Sequence, residues 1–145
     1  MSCRSNILIE QPDSSYLGIY CHHDGYIDHN GAILNASYKD RTKVEDLINL
    51  GDLSELKANI SDDGDNHCIA YTRDLGVGGV TNAMKYNSLE ELDDFSTNWC
   101  EINYIFTKEN TWKYFETGEL QNGLINLAEA VKASQQANVF GGAAK

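Results

Sequence analysis

The chain holds a single proline, contains no apolar run of membrane-spanning length, and has 11 lysines and arginines against 22 aspartates and glutamates. Each shortage excludes something. One proline leaves no extended, proline-rich spacer. A bilayer span needs roughly 18 to 20 consecutive apolar residues, and none exists here, so a membrane role is not expected. Met1 to Glu10 holds one arginine and no apolar stretch of signal-peptide length, which speaks against export by that route. The four cysteines, Cys3, Cys21, Cys68 and Cys100, stand singly. They lack both the CxxC spacing of zinc modules and the density of a disulfide scaffold, and fit free thiols in a reducing cytoplasm. A surface that neutralises nucleic-acid phosphates needs clustered Lys and Arg, so direct contact with DNA or RNA is not expected either.

What remains is an ordinary globular composition with a strong acidic bias. The 145 residues suit one domain, which at this size buries roughly 68–70% of the unfolded chain's surface. The apolar fraction is 41%, well above the range of disordered chains, and the net charge is −11. That charge is regional. Residues 40–65 carry Asp40, Glu45, Asp46, Asp52, Glu55, Asp62, Asp63 and Asp65 against three bases, and residues 90–101 carry Glu90, Glu91, Asp93, Asp94 and Glu101 with none. The two stretches contribute −5 each, whereas acids and bases cancel from Ile102 onward. Such a field repels anionic membranes and steers basic partners toward the chain.

Local patterns predict an α+β fold: a small, mostly antiparallel sheet of two hairpins and a central strand, flanked by helices. Asn6–Gln11 and Tyr16–His22 are β-prone runs separated by Pro-Asp-Ser-Ser, a turn composition. Ala32–Tyr38 and Lys43–Leu50 read as helices, the second with Thr42 as N-cap ahead of Glu45 and Gly51 as its stop. Asp52–Leu56 reads as a capped turn, Ser61–Asn66 as a loop, and His67–Arg73 as the central strand before the Gly76–Gly79 break. Ser88 and Glu91 form a capping box for a helix through Phe95, with Leu89, Leu92 and Phe95 inward. Cys100–Thr107 and Thr111–Glu116 make the second hairpin, and Leu120–Gln136 a final helix. The domain is expected to span residues 1–137, with 138–145 as a flexible tail.

The densest collection of reactive side chains is Tyr20, Cys21, His22, His23, Asp24, Tyr26 and His29. Imidazole, thiolate and carboxylate are all present, the groups that bind zinc, and a Cys-His-acid set could in principle activate a nucleophile. Alternation on a strand, however, sends Cys21 and His22 to opposite sides, and no distant ligand is obvious beyond His67 and Cys68. The reading adopted is therefore no metal, no cofactor and no catalytic residue, with this segment finishing a strand and turning. Small-ligand or metal binding at Tyr20 to His29 is the alternative. Gly76-Val77-Gly78-Gly79 lacks the Lys-Ser/Thr of a phosphate loop, and Asp62-Asp63-Gly64-Asp65-Asn66 lacks the spacing and closing Glu of an EF-hand.

Several segments together resemble a family of small proteins carried by phages, prophages and plasmids: Ile9-Glu10-Gln11, Gly18-Ile19-Tyr20-Cys21-His22-His23-Asp24-Gly25-Tyr26, Asn30-Gly31-Ala32-Ile33-Leu34, and Leu47-Ile48-Asn49-Leu50-Gly51-Asp52-Leu53-Ser54. Tyr71-Thr72-Arg73-Asp74 and the hairpin from Tyr104 to Trp112 resemble it more loosely. The family pattern has a Tyr-x-His-Trp-Asp-Gly-Tyr core, and His23 stands here where the pattern has Trp. The resemblance implies a mobile-element context and a fold type, and transfers no catalytic residue. By analogy with phage-borne inhibitors of host systems, some of which mimic DNA, it implies an anti-defence protein in the host cytoplasm. Its acidic surface would occupy a basic, nucleic-acid-binding host protein. A homo-oligomer joined through Tyr- and Trp-rich strands is a further alternative.

Overall fold

The protein is described by a computed structural model covering residues 4–60, 67–76, 83–94, 96 and 98–144. Construction starts at strand β1 (Ser5–Glu10), whose Ile7, Leu8 and Ile9 are 0%, 0% and 1% exposed. Successive strand residues point to opposite faces, so a strand apolar at three consecutive positions must be covered on both sides. Each of these side chains stabilises the fold by roughly 1.5–3 kcal/mol through burial.

Around β1 the described residues form an eight-stranded sheet. Its further strands are β2 (Tyr16–Cys21), β3 (Leu53–Glu55), β4 (Ile69–Ala70), β5 (Met84–Tyr86), β6 (Ile102–Phe106), β7 (Trp112–Glu116) and β8 (Ile125–Asn126). The order is β4-β3-β2-β1-β6-β7-β8, with β5 on β2 beside β3. Both expected hairpins form, β1 with β2 and β6 with β7, and they join through parallel pairing of β1 with β6. The sheet is mostly antiparallel and the class is α+β. The expected central strand over 67–73 is instead the short edge strand β4, which passes directly into helix α3 (Tyr71–Leu75). The turn expected over Asp52–Leu56 instead holds strand β3, parallel to β2. Gly18 allows β2 its close packing, since a Cβ there would meet Leu8 Cγ at 3.0 Å.

Helices α1 (Ala32–Ser37), α2 (Arg41–Ile48) and α4 (Leu127–Ala144) cover the first face. Leu34, Val44, Leu47, Ile48, Leu127 and Val131 pack there on Ile7, Ile9, Ile19, Cys21, Tyr104 and Phe106. The N-cap of α2 is Asp40 rather than Thr42, and Gly51, at φ +78°, turns the chain away after the helix. The final helix starts at Leu127, because Leu120–Asn122 forms one 3₁₀ turn and Ile125–Asn126 adds β8. Its backbone runs to Ala144, across the boundary expected after residue 137.

The second face is covered by a 3₁₀ turn, Leu89–Leu92, rather than a helix reaching Phe95, which lies outside the described residues. Leu89 and Leu92 pack on Leu8, Ile105 and Phe115. Beside them lies a buried polar network. Asn6 Nδ2 donates to Asn98 Oδ1 at 3.1 Å and to Asn103 Oδ1 at 2.9 Å. Asn98 Nδ2 donates to the Leu92 carbonyl at 2.7 Å, Asn98 Oδ1 accepts from the Cys100 N–H at 3.0 Å, and the Thr117 hydroxyl donates to the Cys100 carbonyl at 2.7 Å. No buried side-chain nitrogen or oxygen among the described residues lacks a partner. A satisfied network of this kind fixes the cover's position, whereas a broken one leaves costly orphans. Asn98→Ala should therefore destabilise the protein by about 3 kcal/mol, because a stranded buried donor or acceptor costs roughly 1–3 kcal/mol each. Urea unfolding at an unchanged m-value checks this.

Candidate functional site

The acids of α2 and those of the turn around Leu89–Leu92 sit on opposite sides of the sheet. Helix α2 sends Val44, Leu47 and Ile48 into the first core and leaves Asp40, Glu45 and Asp46 exposed. Glu90, Glu91 and Asp94 are exposed on the turn that covers the other face, where Asp93 is half-buried. The second set is largely spent on its own backbone. Glu91 Oε2 accepts from the N–H groups of Asn87 at 2.6 Å and Ser88 at 3.0 Å, as the expected capping box requires. Asp93 Oδ1 accepts from Gly118 at 2.7 Å and Leu120 at 3.2 Å, and Asp94 Oδ1 from Ser96 at 2.9 Å. The Ser96 bonds hold the Asp94 carboxyl below its usual range. Asp52, half-buried, accepts from the Tyr20 N–H at 3.0 Å. Glu55 lies on β3, and Asp62, Asp63 and Asp65 lie outside the described residues.

The α2 set differs: among the described residues no hydrogen bond or ion pair reaches the side chains of Asp40, Glu45 or Asp46. The cations of the same helix explain this. Arg41 and Glu45 have the i,i+4 spacing that favours a pair on a helix surface, yet the guanidinium turns away. Its Nε donates to Asn110 Oδ1 at 2.8 Å, Nη2 to the Thr107 carbonyl at 2.6 Å and Nη1 to the Glu10 carbonyl at 3.3 Å. It also lies 5.2 Å from the centre of the Phe106 ring. Lys43 Nζ donates to the carbonyls of Ser37 and Ala58, both at 2.8 Å, over the Tyr38 ring. Both cations act as clasps, and the three carboxylates outside them go uncompensated.

Around the first hairpin turn, next to these carboxylates, three depressions of about 430, 230 and 360 Å³ adjoin at Gln11. The middle one lies between α2 and the β1–β2 hairpin and is lined by Ile9, Gln11, Leu17, Glu45, Asp46, Ile48 and Asn49. Composition and charge runs could not reveal this groove, because it depends on how α2 crosses the hairpin.

The side chains from Tyr20 to His29 divide between the two sides of β2 and the loop that follows it. Cys21 faces the first core and is 0% exposed, and burial pushes its thiol up to about 12. Tyr20 and His22 are half-buried on the opposite face, with the Tyr20 hydroxyl 2.6 Å from His22 Nδ1. Burial, then the neighbouring His23 and Arg4, hold the His22 imidazole below its ordinary range. His23 meets His22 edge-on at 4.6 Å between ring centres. Asp24 adopts a left-handed φ of +58° and its carbonyl accepts from the Asn30 N–H at 3.2 Å. Asn30 Nδ2 donates to the His23 carbonyl at 3.2 Å, and Asn30 Oδ1 lies 3.1 Å from His29 Nδ1. Tyr26 is exposed. These polar groups close the loop, and among the described residues no three His, Cys, Asp or Glu side chains are grouped to hold a metal ion.

A thiol buried away from solvent resists alkylation. Iodoacetamide should leave Cys21, Cys68 and Cys100 unlabelled in the native protein and label all three in urea, as read by peptide mass mapping. A Cys21 thiol pushed up to about 12 in the folded chain, from an ordinary value of 9.0, binds protons that the unfolded chain releases. Its contribution to stability is complete below about 9 and falls as pH rises toward 12.

No family model matches this chain, and no curated protein and no solved structure is significantly similar to it.

Proposed function

We propose that this protein acts by binding rather than catalysis, and that the outer face of α2 docks on a basic surface of a host protein and blocks it. One observation carries the reading: among the described residues Asp40, Glu45 and Asp46 are exposed without partners, while Arg41 and Lys43, on the same helix, are committed to backbone carbonyls. Surface carboxylates are usually interspersed with neutralising cations. A helix that directs its cations inward instead presents a concentrated negative potential, which speeds and orients encounter with basic partners.

The biological setting follows from the phage, prophage and plasmid resemblance. The protein is an accessory of a mobile element, working in the host cytoplasm as an anti-defence inhibitor, and its target is a basic protein that normally grips nucleic acid. Mimicry of DNA is local in this reading. With Glu90, Glu91, Asp93 and Asp94 on the far side of the sheet, one partner meets the α2 carboxylates and not both stretches together.

Purified basic DNA-binding proteins of a bacterial host, titrated at low and high salt with competitor DNA, test the proposal. Binding should weaken with salt and yield to competitor. Asp40→Asn, Glu45→Gln and Asp46→Asn combined should reduce affinity by about tenfold, equivalent to roughly 1.4 kcal/mol, mainly through slower association. Binding indifferent to salt, competitor and the triple substitution contradicts the proposal.

A further inference from the structure

The middle depression of the hairpin groove has a chemistry of its own. Its floor is Ile9 and Ile48, 1% and 2% exposed, with half-buried Leu17 beside them. Ile9 and Leu17 are register partners across β1 and β2, so their side chains form one apolar step facing α2. Glu45 and Asp46 stand at its lining from the helix side, and among the described residues no Lys or Arg lines it. The flanking depressions differ: Arg41 and Lys108 line one, and Lys85, paired with Asp13 at 3.8 Å, lines the other. At about 230 Å³ the middle space is below the roughly 300 Å³ at which small-molecule sites begin, and suits one long side chain.

An apolar floor ending at two free carboxylates is the complement of a lysine or arginine side chain, which buries its aliphatic stem and keeps its charge at the polar end. Resting on the proposal that α2 docks on a basic protein, we infer that this depression is the socket for one Lys or Arg side chain of that partner. Charge complementarity commits the occupant to a cationic protein segment. Neither a hydrophobic peptide nor an anion answers Glu45 and Asp46.

Two probes test this, an oligo-lysine peptide and N-acetyl-lysine methylamide, with N-acetyl-norleucine methylamide as the uncharged control. Methyl resonances of Ile9, Leu17 and Ile48 should shift with both lysine probes and not with norleucine. Glu45→Gln with Asp46→Asn should weaken oligo-lysine binding by about tenfold, while Glu90→Gln with Glu129→Gln, which removes equal charge elsewhere, should change it less than about twofold. Equal weakening by both pairs overturns the socket and leaves acidic docking standing. Failure of the wild-type protein to bind oligo-lysine overturns the docking proposal itself. Shifts from the single residue without peptide binding overturn the assignment to a protein partner.

Discussion

The parallel pair β1–β6 is apolar on both faces, and the rest of the molecule follows from that. Ile7, Ile9, Tyr104 and Phe106 face one way, and Leu8 and Ile105 the other. A sheet of this kind cannot leave a face in water, so the chain builds two covers: helices α1, α2 and α4 on one side, and the short turn around Leu89 and Leu92 on the other. Each cover has a wet outer surface: Asp40, Glu45 and Asp46 stand on one, and Glu90, Glu91, Asp93 and Asp94 on the other. The acids of these two segments, which look like one property in the composition, are therefore divided between two sides.

The covers are held differently, and this is what distinguishes their acids. The small second cover has few apolar side chains and depends on Asn6, Asn98, Asn103 and Thr117 for its position. Its carboxylates complete the job by binding nearby N–H groups. The larger first cover is secured by its cations. Arg41 joins the start of α2 to the end of β1 and to the β6–β7 turn, which the parallel pairing brings to the same end of the sheet. Lys108 strengthens that end, its N–H donating to Glu10 Oε1 at 2.9 Å and its Nζ to Ser14 Oγ at 2.7 Å. Cations committed to structure leave Asp40, Glu45 and Asp46 available, so the feature that stabilises the fold also creates the negative face.

Much of this was legible in the sequence. The two hairpins, α1, the Ser88–Glu91 capping box and the inward Val44, Leu47 and Ile48 all follow from periodicity and turn chemistry acting locally. Alternation also separated Cys21 from His22. Strands β3, β5 and β8 could not be read, and the strand expected over 67–73 shrank to β4 at the edge, since two or three residues carry no period and exist as strands only because a neighbour is present. The asparagine network was hidden because isolated asparagines look like loop residues until tertiary contacts bury them. The fate of Arg41 was hidden because its spacing to Glu45 suggests a surface pair, and only the long-range meeting of two hairpin turns offers three better acceptors. The groove was hidden for the same reason, being made where α2 crosses the β1–β2 hairpin.

The central claim is that one acidic surface, that of α2 and the adjoining hairpin, is the contact face and the other is not. Hydrogen–deuterium exchange with and without saturating oligo-lysine measures this directly, since protection reports local opening segment by segment. The account predicts added protection over residues 9–17 and 40–49 with no change over 87–94. Added protection over 87–94, with 40–49 unchanged, would contradict it.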